Sequence, residues 1–275
     1  MKTRILTAVV MLAVFVPILW FSETVVYPIA MAILVGIAAF ELVRCLGLHR
    51  DPVLLVPAIA IPVALTFFAY FKEDPIGHFS VITIAFFLFA IYLFAVAVFR
   101  AGRTTYASVT GIMAGGFYVT VAFSSMVLLR FMDNGAYLFL LPFIGAWVSD
   151  TFAYFTGRFF GRHKLAPIIS PKKTVEGSIG GIVFDVAVFA LYGVILSAKG
   201  LTPNYPALCL AGLFVSILSQ IGDLALSLVK REYGIKDYGK LFPGHGGVLD
   251  RFDSVIATAP VILILSMLEG FSLFA

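Results

Sequence analysis

The chain has 275 residues, 61% of them hydrophobic and 12% charged, with a mean hydropathy of +1.04 and a formal net charge of +4. Soluble domains carry about 25% charged residues, so a soluble globular fold is excluded and lipid is the solvent for most of the chain. The weak alternation that marks a membrane barrel is absent, which leaves an all-α, polytopic helical membrane protein.

Nine spans are expected, at about 5–22, 25–43, 53–71, 79–99, 105–129, 135–157, 178–198, 205–229 and 254–272. Each approaches the length of about 20 apolar residues that a crossing helix needs. The first run follows Lys2 and Arg4, lacks a small-x-small cleavage site and is followed at once by more spans, so it reads as a retained helix. Cys45 and Cys209 fall at opposite membrane faces on this count and cannot pair. Of the 19 Lys and Arg, all but Lys72, Arg130 and Lys199 fall on one face. The positive-inside rule makes that face cytoplasmic, with the N-terminus inside and the C-terminus outside.

Residues 1–134 form an N-terminal membrane region of spans 1–5 with short loops and few polar groups, and no chemistry is legible there. Arg100 and Arg103 read as topology anchors. Residues 135–275, spans 6–9, carry two cytoplasmic loops, 158–177 and 230–253, both longer than turns require. No internal repeat is evident, so the pseudosymmetry common in transporters is missing.

The acids concentrate in this second region. Asp150 lies in the sixth span, Asp185 in the seventh and Asp223 in the eighth; Asp250 and Asp253 precede the ninth. Burial of an ionisable group in a span is expensive and marks a functional hypothesis. Asp223 is seven residues before Lys230, about 10 Å inside the helix end at 1.5 Å per residue. Asp223, Ser227 and Lys230 share one helical face, and Asp150, Tyr154 and Arg158 share another. Both faces can point into one cavity near the cytoplasmic interface. Carboxylates with no Cys and one nearby His favour a hard cation with oxygen ligands, magnesium over zinc.

The first loop reads GRFFGRHKLAPIISPKKTVEGSIGG. Ser170 is expected to cap a helix with Pro171 at its first position, placing Lys172 and Lys173 at a positive helix end suited to anions. Gly177 and Gly181 are spaced for close helix packing. The second loop reads SLVKREYGIKDYGKLFPGHGGVLDRFD. Its basic residues alternate with acids, so it is no nucleic-acid stripe. Pro243, Gly244, Gly246 and Gly247 let the backbone approach a phosphate closely. Arg251 pairs with an acid or holds a phosphate; spacing leaves both open. The parts together point to magnesium, a polyphosphate and the membrane interface.

This second loop resembles the signature of the phosphatidate cytidylyltransferase (CDP-diacylglycerol synthase) family. Ser227, Lys230, Arg231, Lys236, Asp237, Pro243, His245, Gly246, Gly247, Asp250, Arg251 and Asp253 meet its pattern without departure, and SPKKTVEG and DTFAYFTGRFFGRHK are also similar. The resemblance covers roughly the C-terminal 125 residues and makes 135–275 the catalytic membrane domain. It implies transfer of CMP from CTP to phosphatidate, giving CDP-diacylglycerol and pyrophosphate, in a multi-pass inner-membrane enzyme whose site faces the cytoplasm. It also implies Asp223 and Asp250 as magnesium ligands, with Asp150 and Asp253 as further ligands or their partners and a second cation left open. Lys172, Lys173, Lys230, Arg231 and Arg251 become candidates for the triphosphate and the lipid phosphate. His245, Gly246 and Gly247 would orient a phosphate, with Ser170 and Lys236 in the substrate-binding set. A homodimer is the expected assembly. The rival readings are a related CTP-dependent lipid kinase or transferase and a transporter of an anionic substrate.

Overall fold

The computed structural model describes residues 2–72, 74–268 and 273–274. The helices run in the order α1 (Lys2–Trp20), α2 (Val26–Cys45), α3 (Pro52–Phe68), α4 (Pro75–Phe99) and α5 (Tyr106–Phe131). A single turn, α6 (Gly135–Leu138), leads into α7 (Leu141–Phe160). A small hairpin of β1 (Lys164–Ala166) and β2 (Ser170–Thr174) precedes α8 (Val175–Ser197), α9 (Tyr205–Glu232) and α10 (Leu249–Met267). Among the described residues, seven segments are long and apolar enough to cross a membrane: α2, α3 with the turn after it, α4, α5, α6 with α7, α8 and α9. The remaining two expected spans correspond to α1 and α10. The end of the ninth expected span, 269–272, and residue 275 lie outside the described residues. The chain is thus a helical, multi-pass membrane protein.

Helix starts follow local chemistry. Asp51 accepts from Val53 N at 3.1 Å, and Asp74 accepts from Ile76 N and Gly77 N at 3.0 and 2.8 Å, each just before a helix-opening proline. These side chains satisfy N–H groups that no helical carbonyl can reach, a contribution of about 1 kcal/mol each. Asp51 also takes Arg100 at 2.7 Å, so that arginine is more than a topology anchor.

Two compact units emerge. The first comprises Met1–Met132 with Tyr233–Phe252; the second comprises Asp133–Glu232 with Asp253–Ala275. The second loop therefore packs with the N-terminal helices. In the first unit, Val43, Leu54, Ile82, Phe86, Phe89, Leu93 and Ile112 form a buried core shared by α2, α3, α4 and α5. In the second, α8 packs closely on α7. A Cβ on Gly177 would meet Ala153 O at 2.6 Å, and one on Gly181 would meet Ser149 O at 3.0 Å, so the small-residue spacing serves close approach. Ser149 and Ser216 hydroxyls lie 2.8 Å apart, joining α7 to α9 away from lipid.

The helix start expected at Ser170 is corrected. Ser170 begins β2, paired with Ala166, and Lys172 and Lys173 lie on that strand. Helix α8 is capped instead by Thr174, whose hydroxyl accepts from Gly177 N at 3.1 Å. Ser170 precedes a proline, which biases it to extended backbone. The hairpin then closes onto the new helix start: Val175 N donates to His163 O at 2.9 Å, and Glu176 accepts from Arg162 N at 3.0 Å and pairs with His163 Nδ1 at 2.6 Å.

Candidate active site

The second unit gathers one polar cluster. Asp223 sits on α9, about two and a half turns before that helix ends at Glu232, with Ser227 and Lys230 on the same face, as the i, i+4, i+7 spacing predicts. Ser227 Oγ donates to Asp223 Oδ1 at 3.3 Å. Lys173 Nζ reaches Asp223 Oδ2 at 2.6 Å. Asp253 lies within hydrogen-bonding reach of the Asp223 carboxyl, and Lys230 places a positive charge beside both acids. Asp150 is near enough to act electrostatically on Asp253, and its Oδ2 accepts from Ser254 Oγ at 3.1 Å. Arg158 turns instead to the Tyr154 hydroxyl at 3.1 Å.

The donor set suits a hard divalent cation. Among the described residues no three of His, Cys, Asp and Glu converge as a ready-made metal cage. Asp223 and Asp253 offer two carboxylates within reach of each other, and magnesium asks few ligands of a protein because it keeps several waters and takes its remaining oxygens from substrate phosphates. The residues therefore fit the metal.

Around this cluster Asp185 is fully buried beside Ser216. Lys172 is exposed on β2 and Arg231 is exposed at the end of α9, where its Nε donates to Ile169 O at 3.4 Å.

The first unit holds the second loop. Lys236, Lys240, His245 and Arg251, with Phe242 and Gly246, line a polar pocket of about 680 Å³. Its tip is a tight turn in which His245 N donates to Phe242 O at 2.8 Å and Phe242 N donates to Gly246 O at 2.9 Å. Gly246 has φ +87°, a conformation that L side chains rarely adopt. The stem is held by Asp250, a buried residue whose Oδ2 accepts from Tyr238 N at 2.7 Å, Gly247 N at 2.9 Å and Gly239 N at 3.4 Å. The resemblance assigns Asp250 to a metal. The structure gives its charge a further duty, gathering loop N–H groups.

Sequence reasoning passed over Glu41 and Arg44. Glu41 is 3% exposed and accepts from Val248 N at 3.1 Å and Leu249 N at 2.9 Å, and Arg44 donates to the Tyr238 carbonyl. Thr7 Oγ1 donates to Pro243 O at 2.9 Å. The N-terminal helices thus carry polar groups that hold the second loop. The available signal was Glu41 itself, an ionisable residue inside an apolar helix.

Comparison with known proteins identifies the family. Residues 2–268 match the cytidylyltransferase family. A phosphatidate cytidylyltransferase of Staphylococcus haemolyticus is 34% identical over 267 residues, covering 96% of this chain and 98% of that protein. The enzyme of the same name from Thermotoga maritima is 34% identical over 278 residues, 98% of both chains. That of Bacillus subtilis is 32% identical over 272 residues, 96% of this chain and 97% of its own. The similarity spans the helices that hold the second loop as well as the helices that carry the acids, and the chain belongs to the cytidylyltransferase family.

Proposed function

We propose that this chain is a phosphatidate cytidylyltransferase: a phosphatidate oxygen attacks the α-phosphorus of CTP, giving CDP-diacylglycerol and pyrophosphate. The new phosphorus–oxygen bond forms as the bond to the bridging α–β oxygen breaks, and pyrophosphate leaves with that electron pair. The observation that carries the reading is the cluster of Asp150, Lys173, Asp223, Lys230 and Asp253, in a chain that matches the family along nearly its whole length.

The chemistry suits these residues. A phosphate monoester has its second pKa near 6, so the nucleophile is largely ionised at neutral pH and no strong general base is required. The barrier lies in bringing one anion to the phosphorus of another, and fixed cations lower it by positioning and charge neutralisation. Lys173 and Lys230 supply such charge beside Asp223. Lys236, Arg251 and His245 line a pocket with the size and polarity for a phosphate chain, and Gly246 is part of its lining, whereas Gly247 is packed against Glu41. Lys172 and Arg231, both exposed, are proposed to meet phosphate groups, and Ser170 to contribute from β2. When bound, magnesium would neutralise phosphate charge and polarise the phosphoryl group under attack. Asp223 with Asp253 would hold it; Asp250 stays a proposed ligand on the resemblance. Asp150 would orient the acids through Ser254.

The positive-inside bias supports a site on the cytoplasmic side of the inner membrane, where soluble CTP meets a lipid headgroup. A homodimer remains part of the proposal and is read by native mass in detergent. The test of the activity uses purified protein, phosphatidate in mixed micelles, and CTP labelled at either the α or the γ phosphorus. Label from the α position should enter lipid, and label from the γ position should leave as pyrophosphate. Lipid labelled from the γ position would make the chain a lipid kinase, and no lipid labelling from either would overturn an enzymatic reading.

A further inference from the structure

Glu41 lies on α2, about 200 residues before the loop it touches, yet it is the acceptor for two consecutive N–H groups at the start of α10. Each carboxylate oxygen takes one: Oε1 takes Val248 N at 3.1 Å and Oε2 takes Leu249 N at 2.9 Å. A helix start leaves such donors without intrahelical partners and carries a partial positive charge, so a buried carboxylate is well matched to it. The fit is tight on both strands of the loop stem, because a Cβ on Gly239 or on Gly247 would overlap Glu41 Oε1. One turn further along α2, Arg44 donates to the Tyr238 carbonyl. On the same backbone, Asp250 Oδ2 accepts from Tyr238 N, Gly239 N and Gly247 N. Two short stretches, 238–239 and 247–249, are thus fixed by three charged side chains. Between them lies the turn 240–246, whose residues other than Leu241 line the basic pocket.

Glu41 does not line that pocket. Its charge is spent on backbone, and the backbone it holds sets where Lys240, His245 and Gly246 stand. From this juxtaposition we infer that Glu41 is a positioning residue for the nucleotide, and that Arg44 assists it: together they preorganise the 238–249 loop to receive the triphosphate. The inference rests on the proposed cytidylyltransferase reading. An organised loop pays its ordering cost on folding rather than on binding, so loss of the clamp weakens nucleotide binding more than it slows the chemical step. A residue that merely stabilised the fold would do the reverse: it would lower the active fraction and leave the KM of the surviving enzyme unchanged.

The experiment compares Glu41→Gln and Glu41→Ala with the parent protein in detergent, at equal monodispersity. Glu41→Gln keeps the shape and one acceptor oxygen but cannot accept the second N–H. It should raise the KM for CTP at least ~10-fold while kcat stays within ~3-fold. Glu41→Ala should raise KM further, so that Gln is a partial rescue. Hydrogen exchange of the amides at 238–249 should quicken in Glu41→Gln, with the thermal midpoint of the whole protein little changed. An unchanged KM with a reduced kcat, or unchanged exchange in the loop, would overturn the inference. If the parent protein did not turn over CTP, the proposed function would fall, and the exchange measurement would still decide whether Glu41 organises the loop.

Discussion

Lys173 Nζ lies 2.6 Å from Asp223 Oδ2, and each side chain is 23% exposed. The pair ties the hairpin strand β2 to helix α9. The lysine is where it is because Thr174, and not Ser170, starts helix α8, which leaves Lys173 on an extended strand next to the helix start. Removing either charge leaves the other half-buried without its partner, and both belong to one electrostatic unit. Asp223→Asn and Lys173→Met are each expected to lower turnover at least ~100-fold. The double variant is expected to be little worse than the poorer single one. Steady-state assay of the three proteins checks this, and fully multiplicative losses would show that the two residues act apart.

Cation dependence is part of the proposed reading. Lys173 and Lys230 offset part of the charge of Asp223 and Asp253, and the added phosphates of the proposed substrates call for more. Activity is expected to vanish in excess chelator and to return with magnesium or manganese. Full turnover in chelator would remove the metal from the reaction.

The acids separate by what they touch. Asp250→Asn removes a charge that gathers three loop N–H groups and is also a ligand proposed from the resemblance, so at least ~100-fold loss is expected. Asp185, buried on α8 beside Ser216, is the contrast: Asp185→Asn is expected to lose less than ~10-fold. His245→Ala should fall between them, because an orienting group is lost without loss of a proton-transfer step. Near-normal turnover of Asp223→Asn would refute Asp223 as a metal ligand, and near-normal turnover of Asp250→Asn would refute that role for Asp250.

The capping of α8 is testable by stability alone. Thr174→Ala should cost about 1 kcal/mol, and Ser170→Ala should cost little, because Ser170 Oγ is not the cap. Thermal unfolding in detergent reads both. A larger loss at Ser170 would restore the helix start to that residue.

Topology has its own measurement. A cysteine at position 240 should resist an impermeant reagent in intact cells and react once the membrane is opened. Labelling from outside would invert the orientation that the basic residues imply.

The helices were legible in the sequence because lipid leaves the chain little choice. A run of about 20 apolar residues must close its own hydrogen bonds, so length and hydropathy are enough to locate it. Asp223, Ser227 and Lys230 were legible for a related reason: helical spacing puts them on one face wherever the helix lies. The helix start at Thr174 was not, because Ser170 and Thr174 are both good local caps and the choice falls to the hairpin contacts of His163 and Glu176. Glu41 was not legible either. Its meaning depends on two N–H groups some 200 positions away, and no local pattern encodes a partner at that distance. The sequence by itself determined a multi-pass helical protein with Asp223, Ser227 and Lys230 on one helical face, through local hydrogen bonding and hydropathy. Only the tertiary structure decided that N-terminal helices hold the second loop, because a buried carboxylate must find its donors wherever the folded chain brings them.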